Sequence, residues 1–158
     1  MIIPAGQPML RDSDPVATAG QRMEMCELSL NDLSDELQEK VVIVDIEIRR
    51  EGKTFTVDTL GQLKAFFPHD EFTLILGSDA ALKFNEWKRA TDIKKAVKIL
   101  VVKRPGAAKS EFPEIEIDAL DISATDIRAL LKKDGDISTV LPPSVANYLK
   151  KREIYASK

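Results

Sequence analysis

The chain has 158 residues, is 44% hydrophobic and carries a net charge of −3 with a single cysteine, so it can bury one core and is expected to fold as one domain, 1–158. The acidic balance and the scattered basic pairs Lys94-Lys95, Lys132-Lys133 and Lys150-Lys151 exclude the basic stripe by which polyanion binders are known, so no nucleic-acid partner is expected. No apolar run reaches the length of a bilayer span and Cys26 has no second cysteine to pair with, so no membrane partner is expected and a reducing, cytoplasmic setting is.

In chain order, a helix is expected over 19–30, where Cys26 lies among Met23, Met25 and Leu28 and reads as a buried structural thiol rather than a nucleophile. Residues 41–48 form a β-branched run that reads as a strand, followed by a helix over 56–67. His69, in Phe67-Pro68-His69-Asp70, is the one histidine of the chain and reads as a solvated loop residue. A short strand is expected over 72–76, helices over 78–84 and near 93–97, and a further strand over 98–102. Residues 106–120 read as loop with 114–117 extended, and a last helix runs over about 142–152, with Pro142 or Pro143 in its first turn. Strands separated by helices of this size imply βαβ units and a parallel sheet covered on both faces.

The segment Ile122-Ser123-Ala124-Thr125-Asp126-Ile127-Arg128 has the marks of a helix start. Ser123 is a good N-cap, Asp126 completes an [ST]-x-x-[DE] capping box, and Ala129, Leu130 and Leu131 carry the helix towards Gly135. Free N–H groups, the Ser123 and Thr125 hydroxyls and Arg128 one turn further on would suit a phosphate. A capped surface helix with one exposed arginine explains the same residues.

In open α/β sheets, ligands collect beyond the carboxyl ends of strands, which directs attention to Gly77, Asp79 and Arg104. Gly77 would let a backbone approach a ligand, and Asp79 could accept from ribose hydroxyls or simply cap the next helix. Arg104 could face a nucleotide or be a surface loop residue. Trp87 is a core anchor or a platform for a flat ring, and Thr56, opening a helix, is an N-cap or the holder of a carboxylate.

The order of several motifs goes further than any one of them. They are Ile3-Pro4-Ala5-Gly6-Gln7-Pro8, Arg22 with Met23 and Met25, Asp45-Ile46-Glu47-Ile48-Arg49-Arg50, Thr54-Phe55-Thr56-Val57-Asp58-Thr59-Leu60, Gly77-Ser78-Asp79 and Trp87. Arg104-Pro105-Gly106, the segment ending at Arg128, and Leu141-Pro142 with Val145, Tyr148, Leu149 and Tyr155 complete the series. Over essentially its whole length the chain resembles bacterial nicotinate-nucleotide adenylyltransferases. The resemblance implies a Rossmann-like nucleotidyltransferase fold and adenylyl transfer from ATP to nicotinate mononucleotide, giving deamido-NAD and pyrophosphate in NAD biosynthesis, with Mg²⁺ shielding the triphosphate and no metal held by the protein alone. It implies that Gly77, Asp79, Arg104, Ser123, Thr125 and Arg128 bind ATP, with Arg128 catalytic, and that Phe55, Thr56 and Trp87 hold the nicotinate mononucleotide, Trp87 by stacking.

The chain departs from the family in three places. Members begin with a Gly-rich strand and a G-x-F-D-P-x-H-x-G-H signature whose histidines contact the ATP phosphates; this sequence starts after it. In the family that strand is central, so without it two neighbours would lack their shared partner across about 10 Å, and Met1 is expected to be an internal or misplaced start. Gly20-Gln21 stands where Glu and His are frequent, and Arg11 stands near a usual Lys, which keeps the charge but alters the geometry. Two other readings are a nucleotide-binding remnant without turnover and an adenylyltransferase with another acceptor, such as phosphopantetheine. Trp87 and Thr56 speak for a pyridine carboxylate instead.

Overall fold

The computed structural model describes residues 1–8, 15–118, 120 and 122–156; Arg11 lies outside them. In chain order the elements are β1 (Gln7–Pro8), α1 (Ala19–Leu30), α2 (Asp35–Gln38), β2 (Lys53–Thr54), α3 (Thr56–Phe66), β3 (Thr73–Gly77) and α4 (Ser78–Leu82). A 3₁₀ turn (Phe84–Glu86), α5 (Ala90–Ala96), β4 (Lys98–Lys103), β5 (Glu114–Glu116), α6 (Ala124–Lys132) and α7 (Pro143–Lys151) follow. They fall into two compact units, Met1–Lys53 with Ile122–Lys158, and Thr54–Asp121.

The second unit is built on a parallel sheet in the order β3-β4-β5, as the alternation of short apolar strands and helices requires. The register sets Leu74 beside Ile99, Leu76 beside Val101 and Ile75 beside Leu100. Leu76, Ile99 and Val101 point to one face and pack with Leu60 of α3, Ala81 of α4, Phe84 and Ile93 of α5. Phe84 and Val101 have no exposed surface at all, and Ile93 only 1%. Phe84 is held by two rings, Trp87 at 5.2 Å and Phe112 at 5.0 Å edge-on, a geometry aromatic pairs prefer. Ile75 and Ile115, on the opposite face, remain exposed. Among the described residues no strand pairs with the outer edge of β3.

The first unit relies on helices. Ala17, Val145, Leu149 and Ile154 form its core, with Met25, Leu28, Leu131, Leu141, Tyr148 and Tyr155 against them. Helix α1 opens with a capping box in which Thr18 and Gln21 exchange hydrogen bonds, and α7 is tied down by Tyr148 Oη donating to Glu24 at 2.6 Å and Ser144 donating to Asp32. Pro143 is the first residue of α7, where its missing N–H costs nothing.

The strand expected over 41–48 does not form. Only Ile43 bridges, to Ile2 in parallel, through Ile2 N–H to Val42 O and Val44 N–H to Ile2 O. β-Branched residues favour an extended backbone, but a strand is stabilised by a ladder, and here one residue supplies it. Beyond Val44 the chain turns, with Arg49 N–H on Asp45 O and the Arg49 guanidinium 2.6 Å from Asp45 Oδ2. No helix among the described residues is long and apolar enough to cross a membrane.

Candidate functional site

In the second unit, the carboxyl ends of β3 and β4 are joined by a buried hydroxyl. Ser78, 2% exposed, accepts from the Arg104 backbone N–H at 3.0 Å and donates to Val102 O at 3.5 Å. This fixes where the two strands release their loops. One residue on, the Arg104 guanidinium lies 3.0 Å from Asp79 Oδ2. Two residues singled out from sequence are thus brought together. Their side chains are 41% and 76% exposed, so the pair contributes at most ~1 kcal/mol and gives way readily to another charged group. Gly77 needs no special conformation (φ −80°), and a Cβ there would meet open space. Asp79 sits in the first turn of α4, whose N-cap is Gly77, so the plain capping alternative is not the one adopted.

The start of α3 forms a second cluster in the same unit. Phe55, not Thr56, is the N-cap, extended at φ −130°, with Thr56 the first helical residue. Phe55 O accepts from the Asp58 and Thr59 N–H groups at 3.0 and 3.2 Å. Trp87 is half-buried against Phe84, and its buried Nε1 has no hydrogen-bond partner. The core-anchor reading thus accounts for one side of the ring but not for its indole N–H. The next residue, Lys88, reaches the start of α3: its Nζ lies 4.0 Å from the Phe55 ring centroid and 3.2 Å from Asp58 Oδ2. Neither Ser78 nor Lys88 stood out as a functional residue. Ser78 was signalled by a small polar residue directly after a strand, whereas the Lys88–Asp58 contact joins residues thirty apart and has no local signature.

In the first unit, α6 begins as its sequence dictates. Ser123 Oγ accepts from Asp126 N–H at 3.1 Å while Asp126 Oδ2 accepts from Ser123 N–H at 3.0 Å and from the Ser123 hydroxyl at 2.5 Å. Arg128 donates to Thr125 Oγ1 at 3.1 Å, so Ser123, Thr125 and Arg128 lie on two adjoining turns. Gly135 N–H closes the helix end on Leu130 O at 2.8 Å, and a Cβ at this position would come within 3.1 Å of Leu130 Cδ2.

Two further groups bear on chemistry. His69 is exposed in the turn after α3, as expected. Burial pushes the Cys26 thiol above its ordinary range, against the pull of Arg22, which disfavours the nucleophilic thiolate. Arg22 itself donates to Ala5 O and Gly6 O, holding the loop after Ile3-Pro4.

Residues 1–130 match the cytidylyltransferase-like family. The protein named "Probable nicotinate-nucleotide adenylyltransferase" from Geotalea uraniireducens is 32% identical over 98% of this chain and 83% of its own length. The chain belongs to the nicotinate-nucleotide adenylyltransferases. A nicotinate-nucleotide adenylyltransferase relative of the same printed name from Hydrogenovibrio crunogenus is 30% identical over 97% of this chain and 81% of its own. Among solved structures, a Plasmodium falciparum nicotinic acid mononucleotide adenylyltransferase complexed with APC is 25% identical, with a TM-score of 0.72 over 85% of this chain and 74% of its own. The same enzyme complexed with NaAD superposes with a TM-score of 0.78 over 97% of this chain and 80% of its own at 22% identity, which supports the Rossmann-like nucleotidyltransferase fold.

Proposed function

We propose that this adenylyltransferase moves the adenylyl group of ATP to nicotinate mononucleotide. The 5′-phosphate oxygen forms a bond to the α-phosphorus while the α–β bridging bond breaks, leaving deamido-NAD and pyrophosphate. The observation that carries the reading is the Ser78–Asp79–Arg104 cluster at the carboxyl ends of a parallel sheet, where open α/β folds collect nucleotides, in a chain that matches a nicotinate-nucleotide adenylyltransferase relative over 98% of its residues. Asp79 accepts from the ribose hydroxyls, Arg104 turns to the nucleotide, and the open space beside Gly77 admits it. Thr56 holds the nicotinate carboxylate at the start of α3, Phe55 lines the mononucleotide site beside it, and Trp87 stacks on the pyridine. Ser123, Thr125 and Arg128 hold the β- and γ-phosphates, where charge builds on the leaving group; such chemistry needs positioning and neutralisation rather than a protein nucleophile. Mg²⁺ would accompany ATP as part of the substrate and shield its triphosphate. The setting is cytoplasmic.

A second reading is nucleotide binding without turnover. Pyrophosphate release from ATP and nicotinate mononucleotide with Mg²⁺ separates the two, run on this chain and on a version extended upstream. Release marks the transferase, and nucleotide binding without release in both versions marks the binder. In whichever version is active, Arg128→Ala is expected to lower kcat/KM at least ~10-fold, about 1.4 kcal/mol; unchanged kinetics would remove Arg128 from the reaction.

A further inference from the structure

The loop that leaves β4 is fastened at both ends: Arg104 joins it to the nucleotide cluster, and Glu111 joins it to the turn that leads into Trp87. At its start, Arg104 N–H is fixed on Ser78 Oγ at 3.0 Å, and Ala107 N–H turns back onto Arg104 O at 3.2 Å. At its end, the two carboxylate oxygens of Glu111 serve two different elements. Oε1 accepts from Asn85 Nδ2 at 3.1 Å, inside the 3₁₀ turn, and Oε2 accepts from Lys94 Nζ of α5 at 2.7 Å. Lys94 also donates to Asn85 Oδ1 at 3.4 Å, so the three side chains close a ring of hydrogen bonds. The next residue, Phe112, sets its edge 5.0 Å from Phe84, which in turn lies 5.2 Å from Trp87. Polar and apolar contacts thus fasten the same point of the loop to the same turn.

We propose that Glu111 is a positioning residue that links the Arg104 end of this loop to Trp87, so that ATP and the mononucleotide each strengthen the binding of the other. The inference rests on assigning Arg104 to ATP and Trp87 to the pyridine. Arg104 leaves Asp79 when it turns to a nucleotide, and residues 105–110 lie between it and a fixed point. A loop held at both ends has fewer conformations to lose, so a ligand that orders its Arg104 end also steadies the turn beneath Trp87 for the other ligand. The effect is reciprocal, because one coupling free energy is shared by the two sites. Exposure bounds its size. The Lys94 and Glu111 side chains are 34% and 48% exposed, so water screens the pair and the coupling is on the order of three- to fivefold. The Lys94 hydrogen bond holds the Glu111 carboxyl below the usual carboxylate range, which keeps the clamp charged at neutral pH.

Trp87 is the only tryptophan of the chain, so its emission reports on a pyridine ring stacked there. The whole chain is titrated with nicotinate mononucleotide, with and without saturating α,β-methylene-ATP and Mg²⁺, in the parent and in Glu111→Ala. In the parent the dissociation constant is expected to fall about three- to fivefold when the ATP analogue is present. In Glu111→Ala it is expected to be the same with and without the analogue, and Glu111→Gln, which can still accept from Asn85, should lie between. Should the alanine variant fail to fold, Lys94→Met keeps the stem over the two rings, removes the ammonium and is expected to lower the ratio as well. A parent ratio of one overturns the role of Glu111. So does a ratio that survives Glu111→Ala, even where the variant binds the mononucleotide more weakly in both conditions, since that pattern marks packing alone; either result leaves the proposed function standing. Calorimetry follows the analogue by itself, and failure of the parent to bind it would remove Arg104 from the nucleotide site. If the mononucleotide leaves the parent's emission unchanged, the pyridine does not stack on Trp87. In both of these last cases the role of Glu111 falls with the assignment it rests on.

Discussion

The two units of the chain reach order by different means. Residues of Thr54–Asp121 bury Phe84, Ile93 and Val101 almost completely beneath a three-stranded parallel sheet, so dispersion and loss of apolar surface dominate. The other unit has one isolated bridge and the two-residue strand β1 as the main part of its described β-structure, and no residue of α1 is fully buried. Its order rests on caps, on side chains tying α7 to distant residues, and on a smaller apolar cluster. A sheet unit is specified by which side chains face inward; a helical one of this kind is specified by how each helix begins and ends.

The sharpest way to break this contrast is to open the sheet unit's core. Phe84→Ala removes a side chain with no exposure and two ring partners, and is expected to cost ~3–5 kcal/mol, read as a lowered denaturation midpoint. A loss below about 1 kcal/mol would mean that the core relaxes into the space and that the unit is not close-packed. A smaller effect probes the helical unit: Ser123→Ala deletes both the acceptor for Asp126 N–H and the donor to its carboxylate, for about 1 kcal/mol. Amide exchange should then quicken in the first turn of α6 while β4 keeps its protection. The smallest effect is a displacement in pH. Desolvation raises the Cys26 thiol, so at any given pH less thiolate is present than in an unfolded chain, and the alkylation midpoint should lie above that of a free thiol. A midpoint at or below it would show that α1 is solvated around Cys26 and that Arg22 controls its chemistry.

Legibility from sequence followed the same division. The short strands of the sheet unit and the helices between them were readable because each is an apolar run closed by a turn, and the α6 capping box was readable because caps are local. The run over 41–48 misled because strand propensity says nothing about whether a partner exists, and Ile2 alone provides one. The short α2 offers too few residues for a period to show. At the candidate site, Asp79 and Arg104 could each be named from position, but their pairing depends on the β3–β4 register, and Lys88 meets Phe55 and Asp58 from a distant part of the chain. Contacts between residues far apart in sequence are set by the fold and leave no trace in local pattern.

The outer edge of β3 differs from that of β5 in what it offers to an extended chain. Thr73-Leu74-Ile75-Leu76-Gly77 contains no charge and no proline, whereas β5 at the other edge carries Glu114 and Glu116. Among the described residues no strand pairs along the β3 side, and an unpaired edge is a template for an extended chain. A lysine placed at Thr73 or Ile75 is the least intrusive guard against association through this edge.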